Sequence, residues 1–92
     1  MDLNVNYSNV TTKDEAYHVV KEAITPELLA KFQVKAELTY AVDHITAQGK
    51  GFKLDMFFKD TECQVKVDLS FLLKPLKSKV LEGIEKQLKR VV

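Results

Sequence analysis

Few side chains in this sequence can do chemistry: His18, His44, Cys63 and thirteen carboxylates. A closed zinc site wants about four ligands at paired spacings. His18, His44 and Cys63 show no such pairing, so no metal site is expected. On the patterning below, His18 falls on a helix surface and His44 in a turn. Cys63 stands in an apolar column, where a free thiol behaves as a small buried hydrophobe, and no base adjoins it to make it a nucleophile. Acid–base catalysis needs a carboxylate or imidazole whose pKa is shifted by burial or a close charge. The acidic residues here fall on outer strand faces, in turns or on polar helix faces, with Asp43 beside His44 and Asp60 near Glu62 as turn residues. Gly49-x-Gly51 lacks the third glycine and the following helix of a dinucleotide fingerprint, and no nucleophile elbow or phosphate loop occurs. The expectation is a protein that is not an enzyme, with no catalytic residue, metal or cofactor.

Charge distribution is the one feature that points elsewhere. Residues 71–92 carry six cations and two anions, net +4, while the rest of the chain is net −3. Lys74, Lys77, Lys79, Lys86, Lys89 and Arg90 flank a stripe of Leu, Val and Ile, a pattern suited to lying on an anionic or apolar surface. The simpler reading is that the stripe packs on a sheet and the lysines form a solvated face, since so short a chain can hardly spare a helix from its core. Both hold if the helix packs with one face and exposes Leu81 and Val92 at an edge. Nucleic acid is not an expected partner: the whole chain is only +1, and no exposed aromatics interleave with the basic residues.

These residues need a scaffold, and 92 residues of 10.5 kDa allow a single domain, residues 1–92. A chain of this size hides roughly 60–65% of its unfolded surface. Its 46% hydrophobic and 29% charged residues argue against disorder. One Cys cannot form an internal disulfide, which suits a reducing cytoplasm. No apolar run approaches the roughly 18–20 residues of a membrane span, and no signal segment opens the chain.

Residues 2–8 alternate as a half-buried strand, with Leu3, Val5 and Tyr7 inward. Thr12 and Glu15 have capping-box spacing, with the Glu carboxylate expected to return to the Thr12 N–H. The helix that follows carries Ala16, Tyr17, Val20, Ala23, Ile24, Leu28 and Phe32, bent at Pro26 because the stripe continues in phase. Thr25-Pro26-Glu27 is also a fit start for a second helix. Residues 34–42 put Val34, Ala36, Leu38, Tyr40 and Val42 inward, and Asp43-His44 reads as a turn. Ile45 and Ala47 continue on odd positions, then Phe52, Leu54, Met56 and Phe58 on even ones. We read that change of parity, between two glycines, as a β-bulge at 49–51 in one strand. With Asp60-Thr61 as a turn, Phe58 faces Cys63, Met56 faces Val65, Leu54 faces Val67 and Phe52 faces Leu69. On the outer face Asp55 then opposes Lys66, and Lys53 opposes Asp68. A terminal helix begins near Lys74-Pro75, with Leu72, Leu73, Leu76, Val80, Ile84, Leu88 and Val91 as its stripe. The fold class is α+β: a four-stranded antiparallel sheet, order 2-3-4-1, with two helices on one face (β-α-β-β-β-α). It would resemble a reduced START-like helix-grip fold.

Residues 65–77, Val-Lys-Val-Asp-Leu-Ser-Phe-Leu-Leu-Lys-Pro-Leu-Lys, resemble the polyhydroxyalkanoic acid system protein family. The specific match spans about residues 49–92, and the chain departs from the family pattern at Leu76, where an aromatic is common, and at Asp43-His44, where a longer turn is. The resemblance implies a bacterial accessory protein whose partners are the polyhydroxyalkanoate granule surface or granule proteins, and it carries over no catalytic or binding residue. Two other classes of function stay open at this point. One is a module holding a small apolar ligand between sheet and terminal helix. The other is a structural domain that self-associates through a strand edge into a homo-oligomer.

Overall fold

The computed structural model describes residues 2–92. Its elements run β1 (Leu3–Asn6), α1 (Lys13–Ala23), α2 (Pro26–Ala30), β2 (Glu37–Ala41), β3 (His44–Gly49), β4 (Phe52–Phe58), β5 (Glu62–Leu69), a 3-10 turn (Lys74–Leu76) and α3 (Lys77–Val91). All strand pairs are antiparallel, and the sheet order is β1-β5-β4-β3-β2. The first strand does lie beside the last.

The sheet has five strands, not four. Residues 49–52 are a hairpin turn, with Gly49 paired to Phe52 and Gly51 at φ +74°. Glycine adopts that conformation without the steric cost a Cβ would bring. A two-residue turn places odd positions of one strand against even positions of the next, so inward parity switches with no extra residue. The same rule moves the earlier turn to Val42-Asp43, closed by Ala41 and His44, with Asp43 at φ +56°. Val42 therefore sits at the turn and is 90% exposed, not inward, and His44 belongs to β3.

Pro26 breaks the first helix instead of bending it. Thr25 caps α2, its hydroxyl accepting the Leu28 N–H at 3.2 Å, and Pro26 occupies the first turn, where no donor is lost. Restarting the helix resets its phase, so Leu29 is fully buried where the continuous stripe placed Leu28. The capping box of α1 forms with a shift. Thr12 accepts the Glu15 N–H at 3.2 Å, while the Glu15 carboxylate reaches the hydroxyl and N–H of Thr11 at 2.7 and 3.4 Å.

The β4–β5 register matches the sequence expectation pair for pair, from Phe52–Leu69 to Phe58–Cys63. One cluster forms the core: Val5, Ala16, Val20, Ile24 and Leu29 pack with Phe52, Leu54, Met56, Val65 and Val67 and with Val80, Ile84 and Leu88 of α3. Val92 is fully buried, not an exposed edge, and its main-chain oxygen accepts the N–H groups of Ser8, Asn9 and Val10 at 2.6, 2.6 and 3.2 Å. Tyr40, expected in the core, is 42% exposed, because β2 is the far edge strand of the sheet and Tyr40 meets α1 chiefly through Lys21, whose Nζ lies over the ring at 4.6 Å.

Candidate functional site

The amphipathic stripe of α3 explains where its cations go. Val80, Ile84 and Leu88 are fully buried, so the helical period directs Lys79, Lys86 and Arg90 to the opposite, solvated side. The six cations are not equivalent. Lys77 is half-buried and pairs with Asp2 at 3.2 Å, and Asp2 in turn accepts the Val67 N–H at 2.8 Å. That backbone donor first, and Lys77 second, hold the Asp2 carboxyl below its ordinary value. Lys89 pairs with Glu85 one turn back, at 3.4 Å. Among the described residues, Lys74, Lys79, Lys86 and Arg90 have no carboxylate within 4.0 Å and are exposed. No helix of the described residues is long and apolar enough to cross a membrane.

The entrance to this helix carries a feature that stripe counting missed. Ser70 N–H donates to the Gly51 carbonyl at 2.8 Å, and the Ser70 carbonyl accepts from both Leu73 and Lys74 at 2.9 Å. This reversal throws the two residues between outward: Phe71 is 87% and Leu72 is 85% exposed. Leu72, expected in the stripe, does not join it, and Leu73 packs against the core instead. The signal was present, since Leu73, Val80, Ile84, Leu88 and Val91 share one helical face and Leu72 lies off it.

The sheet face turned away from the helices holds a polar cluster. Asp55 is only 7% exposed, although it stands on the outer face, because its carboxylate turns toward β3 and not toward Lys66. Asp55 Oδ1 lies 2.9 Å from His44 Nε2 and accepts the Thr46 hydroxyl at 3.1 Å. The Phe57 ring stacks on the imidazole at 4.2 Å. The Thr46 hydroxyl also lies 3.1 Å from His44 Nε2, so the three polar side chains form one hydrogen-bonded cluster. His18 packs edge-on to Tyr17, and Cys63 is buried on the core side of β5. Among the described residues, no hydrogen bond or ring contact joins either of them to the other or to His44. Burial pushes the Cys63 thiol up to about 12, with the Glu62 charge adding to it. Among the described residues, no three His, Cys, Asp or Glu side chains converge as metal ligands. Clefts of about 430, 440, 460 and 360 Å³ lie at the surface, while the space between sheet and α3 is filled by core side chains.

Comparison with known families adds the decisive observation: the family model described as "Putative polyhydroxyalkanoic acid system protein" matches residues 8–92, nearly the whole chain. The chain belongs to that family. No curated protein and no solved structure matches it. Within this polyhydroxyalkanoic acid system protein, the matched span holds the Phe71-Leu72 corner and all six cations, and leaves out β1.

Proposed function

We propose that this protein is a non-enzymatic, cytoplasmic accessory of polyhydroxyalkanoate metabolism that docks on the granule surface through the Phe71-Leu72 corner and the free cations of α3. The observation that carries the reading is the near-complete exposure of two large apolar side chains at the mouth of a basic helix. Burying Phe71 and Leu72 in an apolar layer would contribute about 1.5–3 kcal/mol each. Lys74, Lys79, Lys86 and Arg90 would add attraction to an anionic coat, within reach of salt screening. The alternative, an apolar ligand gripped between sheet and α3 in a START-like manner, has less support, because Val80, Ile84 and Leu88 already fill that interface.

Sedimentation with native granules, and with protein-free polymer particles coated in anionic lipid, tests the proposal. The wild type should bind both, less strongly as salt rises from about 50 to 300 mM. Phe71→Ser with Leu72→Ser, and separately Lys74, Lys79, Lys86 and Arg90 changed to Glu, should each release the protein while leaving it folded. Either variant binding at wild-type strength would sink the docking model. Binding to native granules alone would mean that a granule protein, not the surface, is the partner.

A further inference from the structure

The two edges of the sheet are unlike each other. At one edge β1 is only four residues long, and Asp2 beside it caps the Val67 N–H with its carboxylate. At the other edge β2 reads Glu-Leu-Thr-Tyr-Ala, with no Pro, no Gly and no Lys, and four of its five residues are exposed. Natural sheets usually blunt such an edge with lysines, proline, a bulge or a covering helix. None of these occurs within β2 itself, and Lys21 of α1 lies over the face of the Tyr40 ring at 4.6 Å.

The direction of its backbone groups follows from the ladders. Phe58 N–H donates to the Asp43 carbonyl at 2.9 Å, so the odd positions of β3 bond toward β4. Bonding direction alternates along an antiparallel strand. His44, Thr46 and Gln48 therefore bond toward β2, and engage their partners Ala41, Thr39 and Glu37. What remains at the open edge are the N–H and C=O groups of Leu38 and Tyr40.

We propose that two copies of this chain pair antiparallel through these edges, with Thr39 on the two-fold axis, joining two five-stranded sheets into one of ten. In that register Leu38 of each copy faces Tyr40 of the other, and both pairs exchange their free N–H and C=O groups. Leu38 and Tyr40 lie on the helix-side face, so the apolar pairs meet beside the cleft of about 430 Å³ lined by Tyr17, Tyr40 and Val42. Glu37 faces Ala41, and Lys35 of one copy comes to the Asp43 end of the other. Sliding by two residues to centre on Tyr40 sets Glu37 against Asp43, two like charges. Sliding the other way, to centre on Leu38, leaves Tyr40 opposite Ala36. The edge is thus complementary to itself in one register, which argues for a second copy as its occupant.

Three variants test this, each checked for folding by circular dichroism and thermal melting. In sedimentation equilibrium at rising concentration, the wild type should approach twice the 10.5 kDa chain mass. Tyr40→Pro removes an edge donor without touching the β3 ladder, a place where sheets tolerate proline, and Tyr40→Lys adds an edge charge. Both should stay monomeric. Thr39 of the two copies would be a non-hydrogen-bonded pair about 4.5 Å apart at Cα, within disulfide range. Thr39→Cys should therefore oxidise to a covalent dimer much faster than Glu37→Cys, with the buried Cys63 taking no part. A wild type monomeric throughout, folded Tyr40 variants that still dimerise, or equal cross-linking at positions 37 and 39 would each overturn the proposal.

Discussion

His44 and Asp55 are joined at 2.9 Å across β3 and β4, although neither faces the other directly: Thr46 opposes Asp55, and Phe57 opposes His44. A carboxylate only accepts, so the proton of this bond sits on Nε2. The diagonal contact satisfies an almost buried charge with a ring nitrogen and a hydroxyl, and ties the outer surfaces of two central strands together.

Removing that carboxylate should therefore cost more than removing its exposed neighbours. Asp55→Ala leaves His44 and Thr46 without their shared acceptor, and a loss of about 1.5–3 kcal/mol is expected from hydrogen bonds to a charged group. Lys53→Ala and Lys66→Ala, exposed on the same face, should change stability by about 0.5 kcal/mol or less. Urea melts of the three variants make the comparison. Equal losses would show that the hydrogen bonds of Asp55 to His44 and Thr46 contribute no more than the exposed lysines do.

Phe52 is buried where β4 begins, packed against the main core. Truncation to Ala should cost about 3–5 kcal/mol through the cavity it opens. A loss below about 1 kcal/mol would mean that the core collapses onto the gap.

The hairpin at 49–52 makes a contrasting pair of variants. A Cβ at Gly49 would overlap the Lys35 carbonyl oxygen, which is backbone and cannot step aside. At Gly51 the obstacle is chiefly conformational, the +74° φ, with the flexible Ser70 side chain as the nearest neighbour. Valine should destabilise at both positions. Asn, which tolerates positive φ, should recover much of the loss at Gly51 and none at Gly49. Thermal melts of the four variants decide it, and equal rescue at both sites would refute the distinction.

Cys63 has no exposed surface, and its thiol is pushed up to about 12 by burial. Since the thiolate is the reactive form, alkylation of the native protein near neutral pH should be slow and should speed up with added denaturant as the core opens. Rapid labelling of the folded protein, followed by mass spectrometry, would place Cys63 in a mobile segment.

Asp2 supplies a pH dependence whose sign is fixed by its depressed carboxyl. The Val67 N–H and Lys77 favour the charged form, so the folded value lies below the ordinary 3.8. The stabilisation is present above that value and is lost as pH falls through the folded one. Asp2→Asn should lower stability near neutral pH and flatten the acid limb below 3.8, as read by denaturant midpoints across pH. An unchanged acid limb would show that other carboxylates control it.

How much of this was legible beforehand depended on the kind of question asked. Period-two patterning states which face of a strand is inward, and opposite charges at matching positions fix a local register. The β4–β5 hairpin was therefore readable pair for pair. The buried positions of α3 followed from the same logic at helical period. Parity alone could not separate a bulge from a two-residue turn, because both switch the inward set, and only the assembled sheet made β3 and β4 neighbours. Pro26 suited a bend or a fresh start equally well in sequence. The choice fell to the pocket that receives Leu29.

Composition and spacing by themselves determined the α+β class, the amphipathic faces and the surplus of positive charge in the last segment. Tertiary structure decided which of those charges are free, since Lys77 meets Asp2 only when β1 lies beside β5. It also decided that Asp55 turns to His44, that Phe71 and Leu72 stand in solvent, and that β2 is left with an open edge. The physical reason is common to all four. Local patterns encode the direction a side chain faces relative to its own backbone, whereas what it meets there is supplied by elements distant in the chain.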